Sequence, residues 1–216
     1  MKKPQFVNGE IYHIFNRGVE KRNIFNDDED RFRFIHDLFE FNDTAPAGRF
    51  SQGKLSEMTS PKVKREPIIE ILCFCLMPNH YHLIVRQIAD NGITFFMRKL
   101  GIGYTMLFNK KYQRSGYLFQ GSFKSIIIDN DNYLRYLSCY IHLNPVELIQ
   151  KNWKEEGIRD WVAANNFLES YRWSSYPDYI GKENFPSVTS RNFLNQSFSG
   201  STDYKRFVNE LLIKDF

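Results

Sequence analysis

The 216-residue chain has only three cysteines and no long apolar segment. Cys73, Cys75 and Cys139 lie in apolar stretches, and an odd set of this kind indicates buried reduced thiols rather than a disulfide framework. A metal site at Cys73-x-Cys75 is the weaker alternative, since no second cysteine pair accompanies it. No apolar run approaches the roughly 20 residues that span a bilayer, and the first residues lack the apolar stretch of a signal peptide. We therefore expect a cytoplasmic protein without a membrane segment.

Charge is nearly balanced, with 29 Lys and Arg against 25 Asp and Glu, so the net charge of +4 says little about partners. The segment from Arg98 to Lys124 differs because it lacks acidic residues and interleaves basic with aromatic ones. Basic side chains neutralise phosphates, and aromatic rings stack on unpaired bases. The segment therefore predicts contact with nucleic acid, with a solvated helix face as the alternative. The candidate residues are Arg98, Lys110, Lys111, Arg114, Phe119 and Lys124.

Hydrophobic periodicity and breaker residues predict the element order β-α-β-β-α-β-α. The predicted strands cover about residues 10–18, 67–76, 80–86 and 117–129, and the predicted helices about 28–41, 91–111 and 130–145. This order predicts an α+β fold, a ferredoxin-like antiparallel sheet with helices on one face. The second strand is almost continuously apolar, which indicates that both of its faces are covered.

Composition separates a core from two further regions. Residues 1–150 hold all the predicted elements of the sheet fold, so we expect them to form one domain. Within it, residues 42–65 are rich in breakers and poor in apolar residues, which predicts a mobile insertion. Residues 151–216 are more polar and predict a helical C-terminal extension that packs on the core or extends a DNA-contacting surface.

Arg17 ends the first predicted strand, where its guanidinium can reach a phosphate. An ion pair with a carboxylate at the start of the first helix is an equal alternative. The carboxylates in question are those of Asp27, Asp28 and Asp30.

Two histidines follow the predicted Met77-Pro78-Asn79 turn at alternate positions of a strand. Because successive strand side chains point to opposite faces, His80 and His82 share one face and Tyr81 lies on the other. Two imidazoles on one face form half of a metal site. The alternative is a pair of core histidines whose ring nitrogens are satisfied within the protein.

Tyr140 and Asn144 lie four residues apart on the third predicted helix and hence on one helix face. A core tyrosine and a helix-capping asparagine are the plain alternatives. If this helix covers the histidine face of the sheet, His80, His82 and the Asn144 amide oxygen leave coordination positions for phosphate oxygens and water, which suits Mg²⁺ or Mn²⁺ as a Lewis acid. Tyr140 could then attack a DNA phosphodiester, because a phenol needs a polarised phosphorus to act as a nucleophile at neutral pH.

These residues together resemble the HUH single-tyrosine transposases that act on single-stranded DNA, and among them the REP-associated tyrosine transposases. The histidine motif matches in its setting, and the tyrosine helix matches from Tyr140 to Val146. Further matching pieces are Asn16-Arg17-Gly18, the helix start from Asp27 to Phe34, Leu118-Phe119-Gln120-Gly121-Ser122-Phe123-Lys124 and Trp173-Ser174-Ser175-Tyr176. The chain departs from the family after Val146, where Glu147, Leu148 and Ile149 replace the usual Arg, Ala and Gly.

The resemblance implies a nuclease and strand transferase for hairpin-forming repeat DNA. Cleavage would leave a 5′ phosphotyrosine on Tyr140 and a free 3′ hydroxyl, with Mg²⁺ or Mn²⁺ bound by His80, His82 and Asn144. The partner would be single-stranded or hairpin DNA, and the protein a monomer or a homodimer. The alternatives are a hydrolytic metal-dependent nuclease, a non-catalytic nucleic-acid-binding regulator and a core without metal. Tyr133 and Tyr136 are the alternative nucleophiles.

Overall fold

The computed structural model describes residues 5–45 and 65–213. Its centre is a four-stranded sheet of order β2-β3-β1-β4 in which all neighbours are antiparallel. The strands are β1 (Ile11–Arg17), β2 (Ile69–Met77), β3 (His80–Gln87) and β4 (Lys124–Ile128). Helices connect β1 to β2 and β3 to β4, and a hairpin joins β2 to β3. This is the predicted ferredoxin-like α+β fold.

Helices make up most of the remaining described chain. The helices are α1 (Asp28–Glu40), α2 (Gly92–Lys111), α3 (Asp131–Leu143), α4 (Trp153–Glu156), α5 (Trp161–Ser170), α6 (Tyr176–Tyr179), α7 (Arg191–Gln196) and α8 (Ser201–Ile213). Short 3₁₀ turns cover Val19–Lys21 and Asn144–Leu148. Within the described ranges, none of these helices combines the length and the apolar character that crossing a membrane requires.

The first face of the sheet is covered by α1 and α2. Tyr81 on β3 packs against Phe34 of α1 with ring centroids 5.0 Å apart, and Phe34 packs against Tyr104 of α2 at 5.0 Å. Leu83 and Val85, which share the Tyr81 face, have no exposed surface. This aromatic layer forms the core between the sheet and these two helices.

The structure adds helices to the second face as well, because α3 and the C-terminal helices pack there. His142 of α3 is fully buried, and its two ring nitrogens contact Tyr204 Oη at 2.7 Å and Ser175 Oγ at 2.8 Å. Every residue of β2 except Glu70 is buried, so the prediction that this strand is covered on both faces is confirmed. The physical reason is that the apolar face of α3 packs against β2 on this side of the sheet, and α8 packs against α3.

Residues after α5 also cover the outer edge of β2. The backbone N–H of Leu76 donates to Trp173 O at 2.9 Å, and that of Ser175 donates to Phe74 O at 3.0 Å. An uncovered edge strand offers unpaired backbone groups, and these bonds satisfy them. The Trp173-Ser174-Ser175-Tyr176 motif therefore has a structural role in this fold. The division of the chain at residue 150 stays a prediction.

Two boundaries differ from the sequence predictions. The fourth strand begins at Lys124 rather than near 117, because Gly121 has a left-handed φ of 89° and the residues before it run as an irregular loop. Helix α3 ends at Leu143, since Pro145 cannot donate a backbone hydrogen bond. Of the predicted insertion at 42–65, residues 46–64 lie outside the described residues.

Candidate active site

A cleft of about 770 Å³ opens where β1 ends and β3 begins, beside the end of α3. Both predicted motifs line it, with His80 and His82 on the sheet and Tyr140 and Asn144 on the helix side. The lining around these four side chains is mostly basic and includes one carboxylate. The charged residues of the lining are Arg17, Lys124, Lys151, Lys154 and Glu147.

The strand pairing fixes the histidines beside β1. Arg17 lies opposite His80 in the antiparallel register, and Phe15 lies opposite His82. The turn before His80 is held by the Gly18 N–H, which donates to Asn79 O at 2.9 Å. A Cβ at Gly18 would lie 2.2 Å from the Arg22 carbonyl oxygen, so only glycine fits this close approach.

Each histidine of the motif has a partner at its Nδ1 atom. His80 Nδ1 lies 2.6 Å from Asn79 Oδ1, and His82 Nδ1 lies 2.9 Å from His13 Nε2. The two imidazole rings have centroids 5.1 Å apart and stand nearly perpendicular. With Nδ1 hydrogen-bonded in both, Nε2 is the atom each ring can offer to a ligand.

Burial keeps these imidazoles neutral. It lowers the pKa of His80 to about 4, with Arg17 and Lys154 adding to the shift. Burial also holds the pKa of His82 well below its usual range, assisted by His13 and His80. The pKa of His13 falls to about 4 for the same reason. A neutral imidazole is the form that binds a metal ion.

The side chain of Asn144 is oriented by the end of α3. Its Nδ2 donates to Tyr140 O and to Ile141 O, both at 3.1 Å. These two acceptors fix the NH₂ group toward the backbone, so the Oδ1 atom is left for other partners. An amide oxygen in this orientation is a suitable ligand for a hard divalent cation.

The donor set fits Mg²⁺ or Mn²⁺ better than a structural metal. Two imidazoles and one amide oxygen leave positions open, as a catalytic site needs, and both histidines have the hydrogen-bonded outer partner that orients metal ligands. Within residues 5–45 and 65–213, no group of three His, Cys, Asp or Glu side chains is arranged to hold a metal ion. The buried Cys73 and Cys75 are free thiols whose pKa burial raises, which agrees with a packing role.

Of the three tyrosines on α3, all of them in the described part of the chain, Tyr140 lines the cleft and Tyr133 and Tyr136 do not. The Tyr136 ring stacks on the Tyr140 ring with centroids 5.9 Å apart. Lys154 Nζ donates a hydrogen bond to Tyr140 Oη at 2.5 Å. The geometry therefore distinguishes Tyr140 from its neighbours as the hydroxyl that faces the cleft.

The structure separates the candidate DNA-binding residues into three groups. Arg17 and Lys124 line the cleft. Arg98 and Phe119 line a second groove, of about 570 Å³, beside α2, and Phe119 is mostly buried there against Tyr81. Lys110, Lys111 and Arg114 belong to neither lining, among the residues described.

Two of these residues are engaged within the protein. Lys111 Nζ lies within 3.0 Å of carboxylate oxygens of Asp27, Glu29 and Asp30. Arg114 Nη1 donates to Asn109 Oδ1 at 3.2 Å. The aspartates that were the alternative partners of Arg17 thus bind other cations, and Asp28 pairs with Arg31.

Sequence reasoning missed three residues of this site: His13, Lys151 and Lys154. A signal for His13 exists. It lies two residues from Phe15 and so on the same face of β1, and the ferredoxin-like strand order makes β1 the neighbour of β3. The lysines carry no such signal, since they lie in a polar stretch without periodicity. Their position depends on how the chain folds after Leu148.

Comparison with known proteins agrees with the fold. Residues 50–144 match the family model described as "Transposase IS200 like". The solved structure of a REP-associated tyrosine transposase bound to a REP hairpin is similar, with a TM-score of 0.53, 13% identity, and coverage of 88% of this chain and 90% of that chain. The tRNA(His) guanylyltransferase of Saccharomyces cerevisiae aligns with a TM-score of 0.36 and 10% identity over 100% of this chain and 83% of that one. A TM-score this low does not indicate a shared fold. Among curated proteins, no sequence matches.

The family match supports a transposase that acts on DNA. The resemblance to the single-tyrosine transposases predicted from the motifs is thereby confirmed. The chain shares its fold with the REP-associated tyrosine transposase.

Proposed function

We propose that the protein cleaves and rejoins single-stranded DNA beside hairpins, through a 5′ phosphotyrosine on Tyr140. The observation that carries the proposal is the shared cleft, because it is lined by His80, His82, Tyr140 and Asn144 from two motifs far apart in the chain. The match to IS200-like transposases supports DNA as the substrate. The hairpin bound by the REP-associated enzyme of similar fold supports hairpin DNA as the substrate form.

In the proposed cleavage, Tyr140 Oη attacks the phosphorus of a phosphodiester. The Oη–P bond forms and the P–O3′ bond breaks. The electron pair of the broken bond goes to O3′, which takes a proton, while the phenolic proton passes to water. The phosphotyrosine keeps the energy of the broken bond, so a 3′ hydroxyl can reverse the step and join strands.

His80, His82 and Asn144 would hold Mg²⁺ or Mn²⁺, which supplies Lewis-acid polarisation of the phosphoryl group when bound. The protein contributes neutral imidazoles, held by Asn79 and His13, and a fixed amide oxygen. Arg17 and Lys124 bind the phosphates of the strand in the cleft through charge-assisted hydrogen bonds. Lys151 and Asn152 line the same cleft, which supports a DNA-contacting role for the C-terminal extension.

The test is covalent capture on a pool of labelled single-stranded hairpin oligonucleotides with Mn²⁺ or Mg²⁺. We expect a denaturation-resistant adduct that mass spectrometry assigns to the peptide of Tyr140 and that a chelator prevents. Tyr140→Phe should abolish cleavage while DNA binding survives. Tyr136→Phe is the matched control, because it removes the hydroxyl of the ring stacked on Tyr140, and it should keep the adduct.

Each rival has its own outcome in this assay. Cleavage that survives in Tyr140→Phe, without any adduct, would indicate a hydrolytic nuclease in which water is the nucleophile. Loss of the adduct in Tyr136→Phe alone would contradict the choice of nucleophile. Binding without any processing, indifferent to chelator, would indicate a regulator. The proposal holds for a monomer or a homodimer.

A further inference from the structure

The Lys154 ammonium lies against the hydroxyl of the proposed nucleophile. Its Nζ donates to Tyr140 Oη at 2.5 Å and lies 4.4 Å from the centroid of the same ring. The Asn144 Oδ1 atom is a second partner at 3.5 Å. A cation at hydrogen-bond distance stabilises negative charge on an oxygen about twice as well as a neutral donor does. We propose that Lys154 is a catalytic residue that stabilises charge on the Tyr140 oxygen, an inference that rests on the proposed function.

The lysine is held in this position by its surroundings. It belongs to the short helix α4, and the preceding residue, Trp153, is 1% exposed and anchors that helix in the core. Lys154 Nζ lies 5.7 Å from the centroid of the Trp153 ring, so the ammonium is close to two aromatic rings. A donor fixed before the reaction stabilises developing charge without reorganisation during it.

The proposed role concerns both directions of the reaction. During cleavage, the Lys154 hydrogen bond stabilises the Tyr140 oxygen while its proton passes to water and the Oη–P bond forms. During rejoining, the Oη–P bond breaks and its electron pair returns to Oη, where the same ammonium faces the charge. Oη then takes a proton from water, and the attacking 3′ hydroxyl has lost one to water. Water therefore supplies and accepts the protons in both directions.

A phosphate contact is the rival role for a lysine in this cleft. Arg17, Lys124 and Lys151 also line the cleft and provide positive charge for the DNA backbone. A phosphate contact would appear in DNA affinity and its salt dependence. A hydrogen bond to Tyr140 Oη would appear instead in the rate of the bound complex.

The experiment measures single-turnover cleavage and rejoining at saturating hairpin DNA and Mn²⁺. Lys154→Met keeps an unbranched stem to pack against Tyr140 and Trp153 but removes the donor. We expect both rates to fall about 10²–10³-fold, with DNA affinity changed less than threefold. Lys154→Arg should recover part of the loss. Glu155→Ala, an exposed neighbour on α4, controls for disturbance of that helix and should match the wild-type rates.

A second arm replaces Tyr140 with 3,5-difluorotyrosine. Fluorine withdraws electron density from the phenol oxygen, so charge on this oxygen needs less help from Lys154. We expect the effect of Lys154→Met to shrink at least tenfold in the fluorinated protein. A lysine that only supports the structure or binds phosphate would give the same loss with either tyrosine.

Failures of the two proposals are distinguishable. A wild-type adduct on Tyr140 with unchanged rates in Lys154→Met, or an equal loss with both tyrosines, overturns the role of Lys154 alone. If the wild type forms no adduct with any hairpin in the pool, the proposed function fails and this inference fails with it. Circular dichroism and the unfolding midpoint of each variant show whether a loss of rate reflects a loss of fold.

Discussion

The two faces of β3 have different surroundings although their residues alternate along one strand. Tyr81, Leu83 and Val85 are closed in by α1 and α2, with exposures of 2% or less. His80, which precedes Tyr81, and His82, which lies between Tyr81 and Leu83, face the open cleft. We therefore expect one face to contribute most to stability and the other to carry the proposed chemistry. A pattern of alternating side chains is sufficient to separate the two roles.

The cleft stays open because the second face is only partly covered. The C-terminal helices pack along β2, with Ser175 bonded to Phe74 and Tyr179 bonded to Leu72. At the other side, Lys124 at the start of β4 lines the cleft and is exposed. The candidate active-site residues lie at the border between the covered and the uncovered parts of this face.

Substitutions on the two faces should change different properties, stability on the closed face and cleavage on the cleft face. This is the largest difference we expect. Leu83→Ala leaves a cavity in the closed layer and should lower the free energy of unfolding by about 2–5 kcal/mol. His80→Ala should leave that free energy within about 1 kcal/mol while it abolishes cleavage. Chemical denaturation and the hairpin cleavage assay measure the two quantities.

Leu83→Met is the control for the closed face, because it keeps the volume and should cost less than about 1.5 kcal/mol. A His80→Ala protein that unfolds as easily as Leu83→Ala would contradict the separation of the two faces. It would indicate that His80 is a core histidine, which was the plain alternative from the sequence.

His13 tests whether a residue on the cleft face contributes to metal binding without being a ligand. Its Nε2 atom is 2.9 Å from His82 Nδ1, and such an outer partner fixes the orientation of a ligand ring. We expect His13→Ala to weaken Mn²⁺ binding about 10–100-fold, measured by calorimetric titration. His13→Gln should recover part of the affinity, since its amide oxygen can accept the same hydrogen bond.

His36 on α1 is the matched control for that titration. It is a histidine on the opposite side of the sheet, beside Asp37, and His36→Ala should leave Mn²⁺ binding unchanged. Equal Mn²⁺ affinity in His13→Ala and the wild type would show that His82 needs no orienting partner.

The sequence predicted the residues that follow a local pattern and missed those whose position depends on contacts between distant parts of the chain. The strands, the long helices and both motifs follow local periodicities, so their positions were readable from the chain. His13 needs the register of β1 against β3, which periodicity does not give. Lys154 needs the path of the chain after α3, where a proline ends the helix and a buried Trp153 sets the next one. Local periodicity gives neither contact, although the ferredoxin-like strand order does make β1, and with it His13, the neighbour of β3.

The basic segment shows that the charge pattern of the sequence also leaves the surroundings of each residue undetermined. The segment from Arg98 to Lys124 is one positive stretch in the sequence. In the fold its basic residues lie in different surroundings, on α2, in the loop after it and on β4. Lys111 lies among three carboxylates that come from α1 and its cap, far away in sequence. Lys110, the next residue along the helix, is exposed. Neighbours in sequence therefore differ in the charge they offer to a ligand.

The pair Lys110 and Lys111 yields the smallest of the expected effects. If this part of α2 holds the DNA backbone, Lys110→Ala should reduce the slope of log affinity against log salt by about 0.7, the value for one phosphate contact to a single strand. Lys111→Ala should leave the slope unchanged, because its charge is already compensated by Asp27, Glu29 and Asp30. Fluorescence anisotropy with a labelled hairpin over a range of NaCl concentrations measures both. An unchanged slope in both variants would make the end of α2 a solvated helix face, and the cleft lysines would then carry the backbone contacts.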